Sequence, residues 1–146
     1  MILRDVTIFF VIQVAMALFA FAEAYMEGPN GWKWNPKWWR INLPGGFTLN
    51  SYHVFVFGGM FPLFLSLPLV MYGWDRHVFL VLLFSYVVGI ILEDFLWFVV
   101  NPDYPFRKWN PKETRWYPWV RIGKFAIPLP YVFVLFVSGL LISLIL

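Results

Sequence analysis

Long apolar runs alternate along this chain with polar stretches rich in tryptophan. A hydrocarbon core about 30 Å thick takes about 20 apolar residues in helical form. Four runs reach that length: 6–26, 51–73, 78–100 and 127–146. The pattern predicts an all-α integral membrane protein, a bundle of four transmembrane helices with no soluble domain left over. Within the first run, VAMALFAFAEA has the form of a signal-peptide core ending in a small-x-small site. It is expected to be retained as the first helix.

The two long polar stretches echo one another. The pentapeptide KWNPK occupies 33–37 and again 108–112. The first copy follows a run carrying Glu23 and leads through Trp39-Arg40-Ile41 to a run opening at Ser51-Tyr52. The second follows a run carrying Glu93 and leads through Val120-Arg121-Ile122 to one opening at Pro130-Tyr131. Seven residues beyond each tyrosine stands a small residue, Gly59 or Ser138. Such self-similarity marks a tandem helix–loop–helix repeat, 1–75 and 76–146. With two helices per unit both copies run the same way, a parallel repeat about an axis along the membrane normal.

Composition and charge sharpen this picture. Charged residues make up 13% of the chain, against about 25% in soluble domains. Nine of the 11 Lys and Arg residues lie in the first and third loops, leaving Arg4 and Arg76 on the other side. By the positive-inside rule those loops face the cytoplasm and both termini are extracytoplasmic. The net charge of +3 is then a topology signal, with nothing that calls for nucleic acid. The absence of cysteine excludes thiolate metal sites. Seven of the nine tryptophans share the same two loops. Trp34, Trp38, Trp39, Trp109, Trp116 and Trp119 are expected to form a membrane-interface belt. The competing reading folds the loops as lids over the cytoplasmic mouth.

Ionisable side chains within membrane helices are costly, so each needs a role or a partner. Glu23, Glu27, Glu93, Asp94 and His53 are the candidate ligand- or cation-binding residues. At 1.5 Å per residue Glu93 lies about 23 Å into its run, so all five converge near the cytoplasmic end. Gln13, Ala20, Glu23 and Glu27 share one helical stripe, and Tyr86, Gly89, Glu93 and Trp97 another. Asp94, about 100° round, is expected to meet a loop cation. His77 is expected on the opposite surface. Gly58-Gly59, Pro62, Ser66 and Pro68 are expected to permit close packing and a kink.

The repeat would set Glu23 and Glu93 face to face, as the candidate catalytic pair. Three roles compete: structural pairing with Arg40, Arg121 or lysines; a divalent metal held by Glu23, Glu27, Glu93 and His53; or a shared proton serving acid–base chemistry. The stretch ILEDFLWFVV resembles the acidic-pair motif of the small membrane-bound lycopene cyclases, Glu93 and Asp94 aligning with the pair. Ile91 stands where that family has proline, and the Trp-rich loops are not its pattern. The resemblance therefore implies no membership, only that an intramembrane acid could act on an isoprenoid or lipid tail. The expectation is a carboxylate/His site beneath the Trp-rich loops, handling a cation, a proton or a lipid-like molecule. The alternative is a non-catalytic scaffold or accessory subunit. Expected partners are the bilayer, a lipid or isoprenoid ligand, and a second copy or membrane-complex partner.

Overall fold

The structure, a computed structural model, describes residues 2–33, 38–42 and 48–146. Trp34 and the rest of the first KWNPK beyond Lys33 lie outside the described residues. Four helical rods build the fold. Helix α1 spans Ile2–Glu27. The second rod joins α2 (Ser51–Phe55), a π-helical turn (Val56–Met60) and α3 (Phe61–Tyr72). Helix α4 spans Arg76–Val100, and α5 spans Leu129–Ile145. The first, second and third rods are long and apolar enough to cross a membrane. With 17 residues, α5 is about 26 Å long and falls short of that. Its start is later than the apolar run suggests because Ile127 precedes Pro128, and a residue before proline is driven to extended backbone.

The structure is mostly helical, and each long connection adds a short strand pair that the apolar pattern did not predict. Strand β1 (Arg40–Asn42) pairs antiparallel with β2 (Thr48–Asn50), and β3 (Trp119–Ile122) with β4 (Phe125–Pro128). In the second hairpin Ile122 pairs with Phe125 across the two-residue turn Gly123-Lys124, and Gly123 takes φ +62°. Positive φ at the first turn position is what short hairpins demand, and glycine adopts it without strain.

Helices α1 and α4 lie side by side and run the same way. Asp5 meets His77, Gln13 meets the Ser85 carbonyl, and the Gly28 carbonyl meets Asn101, so the pairing keeps step from end to end. At the middle the helices approach closely at Gly89, where a Cβ would stand 2.8 Å from Met16 Cγ. The two sequence stripes are the faces that meet, with Gln13, Ala20, Glu23 and Glu27 of α1 buried along with Tyr86, Gly89, Glu93 and Trp97 of α4. His77 is corrected from a surface residue to a half-buried one, its Nε2 2.9 Å from Asp5 Oδ2. Helix α5 packs on α4, while α3 buries no residue.

The π-helical turn follows from Pro62. Proline has no N–H to give the i−4 carbonyl and its ring crowds that carbonyl, so the helix widens and Phe61 N–H bonds Val56 O. In that register the Phe57 carbonyl would look to residue 62 for a donor and finds none. The Tyr86 hydroxyl of α4 donates to it instead. Among the described residues the expected close packing at Gly58-Gly59 does not occur, since a Cβ at either position would meet only Val54. Replacing Tyr86 by Phe should orphan the Phe57 carbonyl and destabilise the protein by about 1–3 kcal/mol. A thermal-unfolding comparison in one detergent checks this, and an unchanged midpoint would refute the assignment.

Candidate functional site

At the end of the α1–α4 seam the connections fold down onto the helices. Ala24, Trp97, Phe98, Tyr104, Trp116 and Tyr117 form one buried cluster, with Trp109 and Trp119 partly buried against it. This revises the belt: Trp116 lies inside, Trp39, Trp109 and Trp119 are half-buried, and only Trp38 of the five described belt candidates is mostly exposed, at 67%. Asn101 ties the cluster down. Its Nδ2 donates to the Gly28 carbonyl, and its Oδ1 accepts from the N–H groups of Asp103 and Tyr104.

Beneath that cap the five candidate residues come together from three helices. Glu23 and Glu27 sit one turn apart on α1, so their side chains lie one above the other. His53 comes from the first turn of α2, and Glu93 and Asp94 from α4. Glu23, Glu27 and Glu93 are only 4%, 5% and 2% exposed. His53 Nε2 stands 3.7 Å from Glu23 Oε1. One ligand atom from each of Glu23, Glu27 and His53 lies within 4.8 Å of the others. The Glu93 carboxyl lies close to that of Glu23. Among the described residues, Oε1 of Glu23, Glu27 and Glu93 has no hydrogen-bond partner.

Asp94 departs from expectation. Its partners are two tyrosine hydroxyls, Tyr117 donating to Oδ1 and Tyr131 to Oδ2, rather than a loop cation. Burial, with the Asp94 charge alongside, raises the Tyr117 phenol well above its ordinary pKa and keeps it a donor. Asp94 therefore fastens the third connection and the head of α5 to α4.

Asn50 sets the chemistry of His53. Its Oδ1 accepts the His53 backbone N–H at 2.9 Å as the N-cap of α2, and lies 2.6 Å from His53 Nδ1. An atom that accepts a backbone N–H is an oxygen, so Nδ1 must be the ring nitrogen that carries hydrogen. The lone pair is left on Nε2, on the side of Glu23 and Glu27. This is the way metal-binding histidines are oriented: one nitrogen held by an outer acceptor, the other turned toward the ligating groups.

A cavity of about 330 Å³ adjoins the acids, lined by all five candidate residues together with apolar side chains and by no Lys or Arg among the described residues. Mixed carboxylate and imidazole donors of this kind suit a divalent first-row ion. No protein-family model, curated protein or solved structure gives a significant match to this chain. Sequence reasoning missed Asn50, Tyr117 and Tyr131. Asn50 had a readable signal, since asparagine directly before a helix is a preferred N-cap. The two tyrosines had none, as each reaches Asp94 only through the folding of the third connection.

Replacing Asn50 by Leu should remove both the cap and the acceptor at Nδ1. Imidazole ¹⁵N shifts should report the Nδ1–H tautomer of His53 in the parent and a mixture in the variant. A parent spectrum showing the Nε2–H form would refute the assignment.

Proposed function

We propose that the chain is a multi-pass integral membrane protein that binds a divalent cation inside the membrane, close to its cytoplasmic face. The observation that carries this reading is the buried trio of Glu23, Glu27 and His53, with ligand atoms within 4.8 Å of one another. Carboxylates gathered in an apolar layer repel unless a cation or protons lie between them. Asn50 supplies the outer-shell support that a ligating histidine needs. Glu93 completes the site as the acid–base group, paired with Glu23; two carboxylates cannot donate to each other, so their contact calls for a proton or the cation itself.

The topology follows from charge. Lys and Arg are concentrated in the two Trp-rich connections, which places those connections in the cytoplasm and the termini outside. The tandem repeat, 1–75 and 76–146, draws support from the hairpin that precedes α2 and the one that precedes α5, and from the buried glutamates on α1 and α4. A second reading, a scaffold or accessory subunit working beside a further copy or a membrane-complex partner, is favoured by Asp94, whose bonds to Tyr117 and Tyr131 hold two elements together.

Gently extracted protein should carry about one divalent transition ion per chain by plasma mass spectrometry. Glu27→Gln and His53→Ala should lower its occupancy at least tenfold, by about the effect of losing a ligand or its support. A metal-free parent under metal-replete growth would overturn the cation reading and favour the shared proton. Because the chain has no cysteine of its own, single-cysteine labelling tests the orientation directly. Lys124→Cys should react only from the cytoplasmic side and Arg76→Cys only from outside, and the opposite pattern would invert the topology.

A further inference from the structure

The cavity beside the trio is far larger than a cation requires. An ion with one or two waters needs a few volumes of about 30 Å³ each, whereas this space is about 330 Å³, the size of a small-molecule site. We infer that it takes a neutral, single-chain amphiphile: an alkyl chain along the apolar wall and a hydroxyl or carbonyl head at the acid layer. The inference rests on the proposed cation only for what the head group meets.

Three features of the cavity select that ligand class. Phe57, Gly58 and Ile90 lie about one helical turn beyond His53 and Glu93, deeper along both helices, and with Val54 they form a wall that carries no polar side chain. A chain of methylenes suits it and a sugar or peptide does not. That wall is half-buried, with Gly58 exposed, in two helices long and apolar enough to cross a membrane. Its mouth at that depth opens among acyl chains, so a ligand already dissolved in the bilayer enters sideways.

The head group is constrained by charge and by an orphaned donor. Glu23, Glu27, Glu93 and Asp94 line the cavity with no Lys or Arg beside them among the described residues. No cationic side chain on that described lining is there to pair with an anionic head such as a fatty carboxylate, whose burial is then costly. Trp97, on the same lining and 4% exposed, has an indole N–H with no hydrogen-bond partner among the described residues. A neutral oxygen accepts from it, and a hydroxyl also donates to the open Oε1 of Glu27.

The test uses a dodecanol that bears an alkyl diazirine, added to the full-length protein in phosphatidylcholine vesicles, with labelled peptides read by mass spectrometry. Labelling should fall on the Val54–Phe57 and Ile90 peptides, and the corresponding diazirine fatty acid should label about tenfold less. Gly58→Phe fills the wall without touching an acid, since its Cβ meets only Val54 Cγ1 at 3.9 Å. It should cut labelling about tenfold while metal content stays at the parent level. Ile90→Phe, from the opposite helix, should do the same if Gly58→Phe folds poorly. Equal labelling of the parent and both variants, or preference for the fatty acid, would overturn the inference. Site-specific labelling by a metal-free parent supports the amphiphile and sinks the cation, whereas a metal-loaded parent labelled no more than its variants does the reverse.

Discussion

Four carboxyl groups held around one cavity, with no Lys or Arg among its described lining residues, is the constraint on which this protein turns. Two like charges 4 Å apart repel by about 4 kcal/mol even at the effective dielectric of a protein surface. The fold nevertheless gathers ligand atoms of Glu23, Glu27 and His53 within 4.8 Å of one another and sets Glu93 on the same cavity. It can do so because α1 and α4 run parallel and in step, so each helix delivers its acids at the same level. Such an arrangement is costly when the layer is empty. The cost is offset when something positive, a cation or protons, occupies the layer, which is why the binding reading outweighs a purely structural one.

The supporting shell is as specific as the acids. Pro62 forces the π-helical turn, that turn frees the Phe57 carbonyl, and Tyr86 takes it up, locking the second rod onto α4 one turn from His53. Asn50 then fixes the orientation of the imidazole within that rod. On the other side, Asp94 accepts from Tyr117 and Tyr131 and so holds the aromatic cap. The five candidate residues therefore divide: Glu23, Glu27, His53 and Glu93 face one shared space, and Asp94 secures the wall that encloses it.

Much of this was legible from residue periodicity. Apolar runs of helical length announce rods, and polar residues at 3.6-residue spacing within them mark the faces that must turn inward. Gln13, Glu23 and Glu27 on α1, and Tyr86, Glu93 and Trp97 on α4, are buried on those faces. What periodicity carries no information about is a partner distant in sequence. Trp116 reads as an interfacial tryptophan until Phe98 and Tyr104 are seen to enclose it. His77 reads as exposed until Asp5 is seen beside it.

By itself the sequence determined the helical rods, the inward stripes of α1 and α4, and the short list of acids and histidine able to do chemistry, because a single helix imposes those through its own geometry and the expense of burying charge. Only the tertiary structure decided which groups share a space, that Asp94 answers to tyrosines, that the connections form hairpins and an aromatic cap, and that the lone pair of His53 points at two glutamates. Those outcomes depend on distances between segments far apart in the chain, and such distances exist only once the helices have packed.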